Sequence, residues 1–235
     1  MLDKAFPHME RHGLTPNRFC CIPNGFLSEE WTDIDAISMP EEHSNCFAQL
    51  KSESKTIIGF AGGHTQSTAM NVLIEAAHQL KQREDLAFVL VGQGPQKEDL
   101  IALSQQYGLK NVHFLPPVKK ECIPQVLKQF DICYAGGIHS MLHQYGTSFN
   151  KITDYMLSGK PIINSVDEPG SLIERVGCGI QVEAENTMRV CEAIKTITCM
   201  SPEERQAMGA KGQVYALEHL NLTTLSQQFI EKVCQ

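Results

Sequence analysis

The sequence has no block of basic residues, and its 20 Lys and Arg are outnumbered by 27 Asp and Glu, for a formal net charge of -7. Nucleic-acid binding is dominated by phosphate neutralisation, so no nucleic-acid partner is expected. Nor is there a CxxC pair: the nine cysteines lie scattered at Cys20, Cys21, Cys46, Cys122, Cys133, Cys178, Cys191, Cys199 and Cys234. A metal site draws on closely spaced ligand pairs, so reduced, buried thiols, no metal and a cytoplasmic setting are expected. In DICYA, around Cys133, the residue acts as a small hydrophobe. No apolar run approaches the roughly 20 residues of a membrane-spanning helix. The Met-Leu-Asp-Lys start lacks the features of a secretory signal, so the Asn221-Leu222-Thr223 sequon is read as chance. HExxH and G-x-S-x-G are both absent, which removes the zinc-protease and serine-elbow chemistries.

What is present is a chain of 235 residues, 42% of them hydrophobic, enough for a substantial core without staples. From residue 56 onward, short β-branched runs alternate with segments of helical period, the pattern of an α/β domain around a parallel sheet. The expected strands are 56–62, 86–92, 111–116, 131–136, 161–165 and 179–183. Met70, Leu73, Ile74, Ala77 and Leu80 form one helical stripe, and Ile123, Val126, Leu127 and Phe130 another. Ser201-Pro202-Glu203-Glu204 is a capping box with proline at the first helical position. Leu222, Leu225, Phe229 and Val233 mark a last amphipathic helix. Residues 1–50 are polar and turn-rich apart from 18–23, and they read as a connecting element, helix-like over 2–12, followed by a loop. The domain proper is expected over 51–235, excised from something longer.

Three segments follow strands and so fall at the carboxyl edge of the sheet, where open α/β sheets gather ligands. In Ala61-Gly62-Gly63-His64-Thr65, two glycines let the backbone approach a ligand, and a helix expected from about Ser67 would point amides at an anion. The same glycines would serve a plain tight turn. Val91-Gly92-Gln93-Gly94-Pro95 reads more simply as a turn before a helix, with Pro95 at its first position. The third, from Tyr145 to Ile163, places a glycine and small hydroxyl residues before a helix. Its Ile152, Tyr155 and Met156 face the sheet, while Asn150, Lys151 and Asp154 face away. An aspartate on a helix is ordinarily solvated surface. One turn below an N-terminus flanked by Lys151, it would hold ribose hydroxyls while the amides take phosphates. His64, His139 and His143 approach the same edge without the spacing of paired ligands.

In order and spacing, Ile22-Pro23-Asn24-Gly25, the glycine turn, VGQGP, NVHFLPPV, YGTSFNKITDYMLSGKPII and GCGIQV resemble the C-terminal domain of family 4 glycosyltransferases of GT-B architecture. The resemblance runs over residues 5–235 and is nearest to the bacterial surface-polysaccharide branch. It implies a Rossmann-like three-layer domain, one half of a GT-B fold, whose acceptor-binding N-terminal partner is absent from this sequence. It further implies retaining transfer from a nucleotide-sugar, usually a UDP-sugar, with no cofactor and no required metal. Asp154 matches the second acid of the family's paired-glutamate motif, which binds ribose. Gly146 stands where the first glutamate would be. The Gly62-Gly63 turn matches the phosphate-facing loop without its usual Arg and Lys, with Lys151 as the substitute charge. Pro117 and Val118 lie where the nucleobase rests.

The donor is accordingly expected to meet Gly62, Gly63, His64, Val118, Gly146, Thr147, Ser148, Phe149, Asn150, Lys151 and Asp154. No catalytic residue is assigned. The acceptor, a sugar or lipid-linked glycan, would reach the missing domain at the cytoplasmic face of the inner membrane. The competing reading is a non-catalytic nucleotide-sugar-binding subunit that docks on a separate chain. A GT-B epimerase would need acids that are not found. A nicotinamide dehydrogenase would need the full G-x-G-x-x-G fingerprint and its ribose acid.

Overall fold

Runs of β-branched and aromatic residues that are apolar on both faces are stable as strands only where helices cover both sides of a sheet. The computed structural model of the chain, which describes residues 2–233, meets that condition. In chain order come α1 (Phe6–Arg11), three short 3-10 turns, α2 (Glu41–Ser52), β1 (Thr56–Ala61), α3 (Met70–Gln79), β2 (Leu86–Val91), α4 (Lys97–Gln106) and β3 (Val112–Leu115). After these follow α5 (Ile123–Gln129), β4 (Ile132–Gly136), α6 (Asn150–Leu157), β5 (Ile162–Ser165), α7 (Leu172–Val176), β6 (Gly179–Val182), α8 (Thr187–Cys199), α9 (Pro202–His219) and α10 (Leu222–Val233). All six expected strands form, and they pair parallel in the order β3-β2-β1-β4-β5-β6. The result is the Rossmann-like three-layer α/β fold.

Alternate strand residues face opposite helical layers. Ile57, Val89 and Cys133 pack with Phe47, Val126, Tyr155 and Ala216, from α2, α5, α6 and α9. Ile58, Phe88 and Tyr134 pack with Leu73, Leu100 and Ile194, from α3, α4 and α8. The whole stripe from Met70 to Leu80 is buried, as are Val126, Leu127 and Phe130. Each large apolar side chain so enclosed contributes roughly 1.5–3 kcal/mol relative to exposure. The expected capping box opens α9: Glu204 N donates to Ser201 Oγ at 3.2 Å, and Ser201 N to the Glu204 carboxylate at 2.8 Å.

Four local readings need correction. Residues 41–50 are not a loop, because His43, Phe47 and Leu50 recur at helical spacing and bury one face of α2, which runs on to Ser52. No single helix starts near Ser67. A 3-10 turn (Gln66–Thr68) ends at Ala69, whose φ of 45° breaks the run before α3 begins. The helix after VGQGP begins at Lys97 rather than at Pro95. α10 forms, but of its expected stripe Leu225 is buried while Leu222 and Phe229 are exposed, and the Val233 side chain lies outside the described residues. Cys20, Cys46, Cys122, Cys133, Cys178, Cys191 and Cys199 are free thiols, Cys199 among them exposed; Cys234 also lies outside the described residues. Among the described residues no group of three or more His, Cys, Asp and Glu is placed to hold a metal, and no helix is long and apolar enough to cross a membrane.

From β1 the chain builds outward through β2 to β3, and from β4 it builds the other way through β5 to β6. This reversal opens a crevice at the carboxyl ends of β1 and β4, where crossover helices leave on opposite faces. The Gly62 turn leaves β1 there, and the loop to α6 leaves β4.

Candidate functional site

α6 is pinned to the end of β1 by a buried tyrosine. The Tyr155 hydroxyl accepts from Ala61 N at 3.0 Å and donates to Ala61 O at 3.3 Å. One turn earlier, Lys151 Nζ sits 4.4 Å from the centre of the Phe60 ring and would be 3.5 Å from a Cβ placed on Gly62. Among the described residues no carboxylate pairs with this ammonium, and burial alone lowers its pKa to about 8. A largely buried cation balanced only by the face of a ring is costly until an anion arrives.

The backbone around it is partly committed. Gly62 N donates to Val91 O and His64 N to Gln93 O, both at 3.0 Å, zipping the β1 turn to the β2 turn. The approach is so close that a Cβ on Gly92 would lie 1.9 Å from Gly62 O, and one on Gly94 2.3 Å from His64 O. The amides of Gly63, Gln66, Ser67, Asn150 and Lys151 make no hydrogen bond inside the described chain. These, rather than the amides of Gly62 and His64, are available to an anion. The His64 ring is enclosed beneath the turn, 5.7 Å from Phe60 and 6.5 Å from Phe114 between centroids, with neither ring nitrogen partnered. Burial first, then Lys97 and Lys151, lowers its pKa to about 4, so it is a neutral underlay of the turn.

Asp154 lies one turn along α6 from Lys151 and faces the β3 side of the crevice. Burial, then Glu30, raises its pKa to about 6 against the opposing influence of Lys120 and a hydrogen bond with Trp31. Lys151 and Asp154 thus stand one turn apart on α6, the first against Phe60 and the Gly62 turn, the second under the influence of Glu30 and Lys120.

The loop before α6 divides. Thr147 is turned to Glu168, its amide and hydroxyl donating at 3.1 and 2.6 Å. Thr147, Ser148 and Phe149 border a cavity of about 240 Å³ behind the loop, shared with Asn24, Asn164 and Glu168. Asn24 donates to Ser148 O at 3.1 Å and to Asn150 Oδ1 at 2.6 Å, which ties the Ile22-Pro23-Asn24-Gly25 segment to the start of α6. Gly146 has φ 102°, and a Cβ there would meet an Asp3 carboxylate oxygen at 2.3 Å. A side chain there would be strained by that φ and would have to displace the Asp3 carboxylate. His139 instead pairs with Asp167 at 2.7 Å, and His143 lies edge-on to Phe149. Asn24, Glu168 and Trp31 were not foreseen as site neighbours, although Asn24 stands in the Ile22-Pro23-Asn24-Gly25 segment that carries part of the resemblance.

Fold and crevice together define a Rossmann-like protein whose carboxyl edge offers an unpaired cation and free amides to an anionic ligand. The chain belongs to the glycosyl transferases group 1 family, which matches residues 55–199. It is 26% identical over 189 residues, 77% of this chain and 44% of the relative, to the Escherichia coli K12 protein named colanic acid biosynthesis glycosyl transferase WcaI. Anabaena Alr3699/HepE, solved with UDP-glucose, matches at a TM-score of 0.74 and 19% identity, over 97% of this chain and 60% of that one. WaaG, a glycosyltransferase involved in lipopolysaccharide biosynthesis, matches at 0.70 and 17%, over 98% and 60%. A glycosyltransferase from Rickettsia africae ESF-5 matches at 0.75 and 16%, over 97% and 61%. At these identities the structures show the shared fold. The chain spans under half the length of the E. coli relative and about 60% of these solved chains.

Proposed function

We propose that this chain is the donor-binding half of a retaining glycosyltransferase that takes a UDP-sugar in bacterial polysaccharide or lipopolysaccharide synthesis. The observation that carries the reading is Lys151, a cation without a counter-ion beside the Gly62 turn and the open amides of α6. A diphosphate would supply the missing charge, and the same groups would stabilise it as it departs from the transferred sugar. Asp154 takes the ribose hydroxyls, and the Pro117-Val118 backbone the base. The names of HepE, solved with UDP-glucose, and of WcaI and WaaG support the donor class and the pathway.

An acceptor sugar or lipid-linked glycan would be held by a separate N-terminal domain, with the assembly in the cytoplasm or at the cytoplasmic face of the inner membrane. The exposed Leu222, Phe229 and Ile230 of α10 are consistent with such a neighbour. One observation favours the alternative of a non-catalytic binding subunit: Gly146, at a φ of 102° that disfavours any side chain, stands where the resemblance places the acid that touches the donor sugar. Adding the acceptor domain separates the two, because the enzyme half then turns over and a binding subunit does not. The bare chain is expected to turn over nothing.

Calorimetric titration should show UDP binding with Kd on the order of 0.1–1 mM, as suits half a cleft. An affinity for UDP no greater than for inorganic phosphate removes the donor reading. Asp154→Asn should weaken UDP binding by about 1–3 kcal/mol, the loss of charge-assisted hydrogen bonds. The same variant should be more stable than the parent at pH 7.5. The folded-state pKa of Asp154 is raised, so its contribution is full below the unfolded value near 4 and is lost as pH rises through about 6. Melting scans across pH 4.5–7.5 check this, and a variant curve parallel to the parent's would contradict it.

A further inference from the structure

The segment that follows β3 has few means of holding itself in place. Pro116 and Pro117 carry no backbone N–H, so neither can donate a hydrogen bond to the rest of the fold. The amide of Val118 and the carbonyls of Pro117 and Val118 form no backbone hydrogen bond inside the described chain, and Pro117 is exposed. Whatever fixes the course of this segment must therefore donate to its carbonyls from elsewhere. Two buried side chains do so. From α4, Lys97 Nζ donates to Gly92 O at 2.9 Å and to Leu115 O at 3.2 Å. From α2, His43 Nε2 meets Pro116 O at 2.9 Å. A carbonyl oxygen only accepts, which assigns a ring hydrogen to Nε2.

His43 is 1% exposed, and its other ring nitrogen, Nδ1, is buried without a partner. A core position filled for packing alone is better served by an apolar side chain, which leaves no nitrogen desolvated and unpaired. The bond to Pro116 O is what the imidazole adds, and it ends two residues before Val118. Lys97 holds the neighbouring carbonyl but also the Gly92 turn, so its loss would disturb the phosphate and base sides together. We propose that His43 is a positioning residue of the nucleobase subsite, fixing the Pro116-Pro117-Val118 backbone through Pro116 O in the course that the base meets. This rests on the reading of Pro117-Val118 as the resting place of the base.

The test is NMR titration of the wild-type chain, His43→Leu and His43→Gln with UDP and, separately, with inorganic pyrophosphate, which has no base. Leucine fills the space without a donor, whereas glutamine brings an amide N–H to the reach of Nε2. His43→Leu should bind UDP about 3- to 10-fold more weakly, the equivalent of one hydrogen bond, with its pyrophosphate affinity unchanged. His43→Gln should bind UDP nearly as the wild type does. In the wild type, the His43 ring signals should show hydrogen on Nε2 and should move as UDP is added. Undiminished UDP binding by His43→Leu, equal weakening toward both ligands, or failure of glutamine to restore binding overturns the proposal. So does a ring that carries its hydrogen on Nδ1 alone, or that stays silent while UDP binds, criteria that hold even if a variant fails to fold. A wild type that binds UDP no more tightly than pyrophosphate removes the base reading itself, and this proposal with it.

Discussion

Lys151→Met is expected to raise the melting temperature of the free chain while weakening UDP binding about 10- to 100-fold, the equivalent of one charge-assisted contact. The two effects share a cause. The ammonium is held out of water against the Phe60 ring without a carboxylate, so the free fold bears a desolvation cost that only an anion offsets. Methionine keeps the apolar stem and removes the charge, for a gain on the order of 1–2 kcal/mol, or about 2–6 °C in a chain of this size.

The pH dependence has a definite sign. The folded-state pKa of about 8 lies below the unfolded value near 10.4, so the unfolded chain holds more protons between them and wild-type stability climbs across that window. The variant should lack the climb. Because the bound anion favours the ammonium, UDP binding near pH 8 should also take up protons, seen as calorimetric heats that vary with the buffer. A variant that binds UDP like the parent, or melts lower, would count against the site as described.

Gly92→Ala should lower the melting temperature by about 5–15 °C and abolish measurable UDP binding. A Cβ at Gly92 would lie 1.9 Å from Gly62 O, with φ at 149°, a conformation that side chains rarely adopt. Overpacking of about 1–3 kcal/mol adds to backbone strain of about 1–3 kcal/mol, and the two turns must part to relieve it. Parting them moves the Gly62 turn away from Lys151. Gly63→Ala is the matched control, because its Cβ would find nothing nearer than Thr65 Cγ2 at 3.6 Å. Its melting point should stay within about 2 °C of the parent's. Equal damage by both substitutions would mean that general glycine loss, rather than the contact between turns, sets the effect.

The sheet was legible because each strand is a short apolar run closed by a turn residue, as LAFVLV is by Gly92, and local composition suffices for that. α2 was not, since its buried face is only His43, Phe47 and Leu50 set among polar residues, a stripe too narrow to stand out. In the site, Lys151 and Asp154 could be read from the helix they share and the family motif around them. What surrounds them could not. Trp31 reaches Asp154, Asn24 reaches Ser148 and Thr147 reaches Glu168 only after distant segments have folded together. Which amides remain open likewise depends on β1 and β2 pairing in register, which no local pattern encodes.

The central seam of the sheet also bears on how the molecule comes together. Ile58 pairs with Ile132, the widest separation along the chain of any strand pairing, whereas each pairing within the two flanking trios closes over a single crossover. Distant pairings carry the greater loop-closure entropy and slow assembly. The crevice straddles that seam, so ligand affinity should emerge late during refolding, after both half-sheets have acquired their helices.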